Sequence, residues 1–272
     1  MSSTFSPAPE KGAAAGALRW AGIIWFVVAA IGQAAFVGFI LAFYGTRTAA
    51  GNYAGWNDKP LIDGYIAGDG TGNFVFAAHV LLASVVTLAG LMQLIPAIRR
   101  AFPTLHRWSG RTFLIVAGVM ALSGFWLTLV RGTSLSAVSS AAILIDGLLI
   151  LVFGGLAWRH AVKRRFDQHR VWAMRTFMAV SGVWFLRVGI MGWVLVNQGP
   201  VGMSDSLSGP ADIVLVFGSY LIPLGLLELY FRAGRSVHVA PKLLTAALVL
   251  AAAAFTAIGV FGTIALMWGP YL

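Results

Sequence analysis

Long runs of apolar residues alternate with short polar segments along the whole chain. Seven of these runs are almost free of charge, and each is long enough, at 1.5 Å per helical residue, to cross a hydrocarbon layer about 30 Å thick. Segments of about ten residues with alternating polarity, which barrel strands require, do not occur. The pattern predicts an all-α integral membrane bundle of seven transmembrane helices, extending approximately over Leu18–Phe43, Phe74–Ile98, Gly110–Val130, Ala141–Trp158, Trp172–Val196, Ile213–Phe231 and Leu243–Trp268.

Composition excludes a water-soluble fold. Hydrophobic residues make up 59% of the 272 and charged residues 10%, whereas soluble domains have about half apolar and a quarter charged residues. Residues 1–17 are rich in Ala, Gly, Ser and Pro and have no basic start typical of a signal peptide, so we predict a flexible segment followed by a transmembrane domain over 18–272. The longest connection, over 44–73, is predicted to be an external loop. The absence of Cys excludes disulfides, thiolate metal sites and thiol nucleophiles.

The basic residues indicate the orientation of the bundle. The net charge is +10, and fifteen of the 19 basic residues fall in the amino-terminal segment or in the connections after spans two, four and six. Only Arg47, Lys59 and Arg131 fall in the opposite connections. This asymmetry predicts a cytoplasmic amino terminus and an external carboxyl terminus. It also predicts contact with anionic headgroups on the cytoplasmic face, and no nucleic-acid binding, because no basic stripe interleaved with aromatics lies in a soluble segment.

Ionisable residues within the predicted spans are candidates for function, since their insertion costs about 2.5–3.5 kcal/mol or more. His79, Asp146 and Arg187 are all predicted in the outer half of the membrane. Two interpretations stay open: a structural ion pair between Asp146 and Arg187, or a polar pocket that binds an anionic or quinone-like ligand or relays protons. Glu228 lies one turn before Arg232, which favours an i,i+4 pair at the inner boundary.

A second candidate site lies at the cytoplasmic ends of spans three and five. His106 and His169 occupy the first turn of each span, with Pro103 and Asp167 as helix-start signals. Helix amino termini and neighbouring arginines attract phosphate or carboxylate groups, which predicts an anionic headgroup site. Two His side chains at equal depth could instead be the axial ligands of one b-type haem. The set of residues is His106, Arg107, Arg111, His169, Arg170 and Arg175.

Three further sequence patterns concern helix packing, helix continuity and metal binding. Small residues along one stripe of span three, including Ala117 and Ala121, favour close helix packing, within the chain or with a membrane-protein partner. Pro223 marks the only good candidate for a broken helix, in span six. Residues 69–73 lack the alternating ligands and the closing Glu of a calcium loop, so we predict no metal site there.

The segments AAHVLLASVVTLAGLMQL, LHRWSGR, DQHRVWAMR and WFLRV together resemble a large family of predicted bacterial membrane proteins classed as a domain of unknown function. The likeness covers Phe74 to Val196, and the two H-R motifs are its most specific part. The resemblance implies a multi-pass protein of the bacterial cytoplasmic (inner) membrane and supplies no catalytic roles. A looser resemblance to four-helix b-type cytochromes implies at most one haem.

The sequence therefore leaves two classes of function open and assigns no catalytic residue. The first is a membrane redox or ligand-binding protein with a polar pocket in the outer leaflet or a single b-type haem. The second is a non-enzymatic protein, either a small-solute transporter or a lipid-binding accessory subunit of a membrane complex.

Overall fold

A computed structural model describes residues 8–59 and 62–272, with side chains from residue 12 onward. These residues are almost entirely helical. Ten α-helices occur in this part of the chain: α1 (Ala8–Phe39), α2 (Thr46–Ala49), α3 (Gly70–Leu94), α4 (Pro96–Ala101), α5 (Pro103–Leu129), α6 (Ala137–Val162), α7 (Phe166–Val180), α8 (Gly182–Val196), α9 (Pro210–Arg235) and α10 (Val239–Gly262).

The structure confirms a predominantly helical membrane bundle. Six helical segments are individually long and apolar enough to cross a membrane, and α7 and α8, which meet at a bend of 51°, make a seventh if the pair counts as one span. The break lies at Ser181 and Gly182, whereas α9 continues through Pro223 as one helix. The prediction of a break in span six was therefore wrong. The orientation of the two ends stays a prediction from the charge distribution.

Several boundaries differ from the predicted ones. The first helix begins at Ala8, so the second half of the predicted flexible segment is helical, because its alanines favour helix; residues 1–7 lie outside the described residues. At its other end, α1 continues through a π-helical turn, Ile40–Gly45, into α2. The predicted external loop over 44–73 is correspondingly shorter, and a 3₁₀ turn, Ala54–Asp58, lies within it.

The spans form a closed arrangement in which sequence neighbours pack side by side. Helix α3 packs on α5, α5 on α6, and α6 on α7, while α8 and α9 pack against α10 and α1 packs mainly against α10. Small residues make these contacts close: Ala117 and Ala121 on α5 are buried, as the stripe on span three predicts.

An aromatic cluster joins the far ends of α1 and α10. The Trp268 ring stacks on Phe36 and Phe39 at centroid distances of 5.5 and 5.4 Å, and Phe39 stacks on Phe43 at 5.4 Å. Trp268 is 2% exposed. Because stacked aromatic rings bury large apolar areas, this cluster holds the two helices together at the end opposite the basic connections, hereafter the outer end.

Candidate functional site

A cavity of about 1970 Å³ opens within the bundle. Its walls come from all seven spans, α6 contributing only at its end, and most are apolar, including Trp25, Phe113, Phe177 and Phe255. Some wall residues, such as Ile222, belong to the exposed apolar surface. The cavity is therefore accessible from the lipid side and is long enough to reach residues near the outer ends of α8 and α9.

Basic side chains surround the other end of the cavity, hereafter the basic end. Within the described residues, the acidic side chain that lines the cavity is Asp167 alone. The arginines that line it come from α1, α4, α5, α7 and the turn before α7, and are Arg19, Arg99, Arg107, Arg111, Arg164 and Arg170. None of them forms an ion pair in the described part of the chain. This end of the cavity can therefore accept an anionic group.

His106 and His169 line the same cavity at its basic end. The Nδ1 atom of His169 lies 2.9 Å from the Ala157 carbonyl oxygen; a carbonyl only accepts, so Nδ1 carries the proton and Nε2 keeps a free lone pair. The Nδ1 atom of His106 is buried and has no hydrogen-bond partner. Gln93 on α3 fixes the start of α5 by donating to the His106 carbonyl oxygen at 3.0 Å.

Arg175 does not belong to this set. Its Nε donates to Glu228 at 2.6 Å, and its guanidinium lies 4.3 Å from the Trp172 ring centroid. Glu228 therefore pairs across helices with Arg175, and the predicted pair with Arg232 was wrong. The pair connects α7 to α9, so Arg175 has a carboxylate partner, whereas the cavity arginines have none among the described residues.

Arg187 lies in the first half of α8 and has no carboxylate partner among the described residues. Its Nη1 donates to the Val183 carbonyl oxygen on its own helix at 2.9 Å, and its guanidinium lies 5.5 Å from the Phe36 ring centroid. The side chains of His79 and Tyr44 are close enough to interact with its charge. The structure leaves Arg187 partly accessible, and a shared site of Arg187 and His79 stays a prediction.

The hydrogen bond of His79 identifies its protonated nitrogen. The distance from His79 Nδ1 to Ser123 Oγ is 2.8 Å, and Ser123 Oγ donates its single proton to the Val119 carbonyl oxygen at 2.8 Å. With the Ser123 hydroxyl directed at this carbonyl, His79 Nδ1 is the donor and Nε2 is left as an acceptor. A neutral His beside an unpaired Arg can hold a ligand that has both an acceptor oxygen and a donor hydroxyl.

Asp146 is separate from Arg187, so the structural ion pair, one of the two interpretations that the sequence leaves open, does not form in the structure. Its Oδ2 lies against Gly182, where an added Cβ would be only 2.7 Å away. Arg187 follows Gly182 by five residues, about 140° around a helix of 3.6 residues per turn. The guanidinium therefore points to a different side of α8, and similar depth in the membrane does not bring the two groups into contact.

The connection between α2 and α3 closes over the outer end. Arg131, after α5, donates to Asp69 Oδ2 at 3.0 Å, to the Gly64 carbonyl oxygen at 3.1 Å and to Asn73 Oδ1 at 2.8 Å. Lys59 belongs to the same connection, and burial together with the charge of Arg187 lowers the pKa of Lys59 to about 8. The charge of Arg187 therefore acts on Lys59 at this end.

A family model described as "Predicted membrane protein (DUF2306)" matches residues 76–231, more than half of the chain. The chain belongs to the DUF2306 family. No curated protein matches it, and no solved structure matches it. The region matched by DUF2306 extends from α3 into α9 and contains His79, His106, Asp146, His169 and Arg187.

Some site residues of this DUF2306 protein are missed when only ionisable residues within spans are considered. Gln33, an uncharged residue of α1, is 2% exposed and donates to Ser181 Oγ at 3.1 Å. Its signal is an amide in an otherwise apolar run. Lys59 and Arg131 lie in connections, and nothing in the local sequence indicates that the chain folds them back onto the bundle.

Proposed function

We propose that this protein is a membrane-embedded ligand-binding protein whose cavity holds an anionic phospholipid. The headgroup binds at the basic end, and an acyl chain lies along the apolar walls. One observation carries the proposal: a cavity of about 1970 Å³ has six arginines at one end, against a single lining carboxylate in the described residues. Phosphate accepts charge-assisted hydrogen bonds from arginine, which are about twice as strong as neutral ones.

An anionic phospholipid also accounts for the combination of apolar walls and a basic end in one cavity. Removing apolar surface from water is worth about 25 cal/mol per Å², but lipid tails gain no such energy against a lipid-facing wall. Headgroup contacts must therefore provide selectivity, and the unpaired arginines provide them. Arg107 and Arg111 come from α5 and Arg170 comes from α7, so a bound headgroup would bridge the two helices that open with the H-R motifs.

The double substitution Arg111→Gln with Arg170→Gln tests this proposal. We expect the wild-type protein, purified in a mild non-ionic detergent, to retain anionic phospholipid at a level about tenfold above that of the double variant, because about 1.4 kcal/mol of lost headgroup contact corresponds to a factor of ten. Native mass spectrometry measures the bound lipid. Arg235→Gln is the matched control, since Arg235 is exposed on the same side and does not line the cavity. Equal retention in the wild type and the double variant would contradict the proposal.

A single b-type haem is the competing occupant of this cavity. What favours it is that His106 and His169 both line the basic end and that each has a ring nitrogen without a protein partner. The same purified samples distinguish the occupants, provided that haem is supplied during expression. Haem bands in a reduced-minus-oxidised visible spectrum that disappear in His169→Ala would show that haem, and not lipid, occupies the cavity.

The outer cluster favours a second candidate function, the binding of a small anion or a quinone headgroup. Arg187 has no carboxylate partner in the described part of the chain, and Lys59 faces it from the covering connection. Two cations held together without an acid are stabilised when an anion binds between them. His79 Nε2 would then accept a hydrogen bond from a hydroxyl of the ligand.

Lys59 provides the test of the outer site. We expect acetic anhydride to modify Lys59 with a half-maximal rate near pH 8, because only the neutral amine reacts and its pKa is lowered to about 8. Inorganic phosphate bound beside it would favour the charged form and move this midpoint to higher pH. Peptide mass spectrometry follows Lys59 and, as a control, the exposed Lys163. A midpoint at Lys59 that does not respond to phosphate would exclude phosphate as its ligand.

A further inference from the structure

Span five is interrupted in the middle of the bundle, and polar side chains from three other helices meet it there. Gln33 of α1 donates to Ser181 Oγ, and its own Oε1 is buried without a partner. Asp146 of α6 and Tyr220 of α9 pack on the other side, against Gly182. The hydroxyl of Tyr220 is also buried without a partner.

Of these groups, Asp146 is the one whose burial costs the most free energy. The residue is 8% exposed, its Oδ1 is buried without a hydrogen-bond partner, and no described residue donates a hydrogen bond to either oxygen. It forms none of the ion pairs in the described residues. Tyr220 is the titratable side chain beside it, and the cation of α8, Arg187, points to another side. An ionised carboxylate is therefore left without compensation.

The amino terminus of α8 favours a negatively charged group at this location. Gly182 is the first residue of α8, a helix of 15 residues, and its lack of a side chain lets the Asp146 carboxyl approach the helix start. Helix amino termini stabilise an anion, but this partial charge does not replace a full cation inside a membrane. A buried carboxylate under these conditions takes up a cation.

We propose that Asp146, at the break in span five, binds a small monovalent cation, a proton or Na⁺, within the membrane. A proton would make the carboxyl a donor to the Tyr220 hydroxyl or to water. Na⁺ would use the carboxylate oxygens, and prefers oxygen ligands of this kind. Because the carboxyl packs directly on Gly182, occupancy of the site is coupled to the position of α8 relative to α7. This site is distinct from the lipid cavity, whose lining does not include Asp146.

Infrared spectroscopy of the full chain in lipid nanodiscs tests the proposal. Proton binding predicts the carbonyl stretch of a protonated carboxyl at neutral pH without Na⁺, identified by its shift on ¹³C-aspartate labelling and absent from Asp146→Asn. Na⁺ binding predicts that NaCl, but not an equal concentration of KCl, removes this band or raises the melting temperature of the wild type by several degrees.

Each outcome decides the proposal. The absence of a protonated carboxyl and of any Na⁺ effect is read in the wild type, so the proposal can be overturned even if Asp146→Asn fails to fold. Asp205→Asn, in an exposed connection, is the matched control and should change neither readout. A labelled protein with no protonated carboxyl at neutral pH and no difference between Na⁺ and K⁺ would overturn the proposal. A band that persists in Asp146→Asn would also overturn it, because it would belong to another residue.

Discussion

Replacing Arg131 by Met should lower the free energy of unfolding by about 3 kcal/mol, the low end of what is lost when one partner of a buried ion pair is removed. The side chain of Arg131 is 3% exposed and that of Asp69 is 31% exposed. The substitution removes two hydrogen bonds to the connection before α3 and one to Asn73 in the first turn of α3, and it leaves Asp69 without its cation. Unfolding titrations with sodium dodecyl sulfate in mixed micelles measure the change.

Two variants separate this effect from a general loss of charge. Arg47→Met removes the other ion pair at the outer end, whose Asp58 is 57% exposed, so it should cost less than about 1 kcal/mol. Adding Asp69→Asn to Arg131→Met should restore part of the loss, because Asn still accepts from the Gly72 amide at the start of α3. If Arg47→Met and Arg131→Met cost the same, Arg131 does not hold the connection in place.

Gly259→Val should cost about 3 kcal/mol or more, at or above the upper range for overpacking. An added Cβ at Gly259 of α10 would collide with the backbone carbonyl oxygen and side chain of Val188 on α8. A backbone atom in a helix cannot move aside as a flexible side chain can, so α8 and α10 must separate. The same unfolding titration, or the melting temperature, measures the loss.

Gly118→Val is the control for this substitution. Gly118 lies within α5, and an added Cβ there meets nothing within 4 Å. It carries the same change in helix propensity, worth less than about 1 kcal/mol, without the collision. Equal destabilisation at Gly118 and Gly259 would show that contact between α8 and α10 is not what limits the size of residue 259.

The spans could be predicted because the membrane imposes one requirement on each of them, a continuous apolar run. The break in span five could not, because neither Ser181 nor Gly182 prevents a helix by itself. What interrupts the helix is tertiary: Gln33 bonds Ser181 from one side, and Asp146 and Tyr220 pack on Gly182 from the other. Pro223, the stronger local signal, lies in a continuous helix.

The individual residues of the candidate site could be predicted from the sequence, but the pairs that they form could not. Intramembrane charge pointed to His79, Asp146 and Arg187, yet depth alone could not tell which side of α8 each faces. The partner of Glu228 depends in the same way on which helices are neighbours. Arg175 on α7 reaches it at 2.6 Å, whereas Arg232, one turn away on the same helix, does not. Neighbour order is a property of the assembled bundle and is not encoded in a single span.

The packing of α1 against α10 has a consequence for biosynthesis. Helix α1 precedes the other described spans in the chain, but the surface that it packs against most belongs to α10 and to Trp268 beyond it. During translation of the intervening helices α1 therefore lacks this surface, although Gln33 can reach Ser181 once span five is inserted. Contacts between segments so distant in sequence form late, so the bundle closes only after α10 has been inserted.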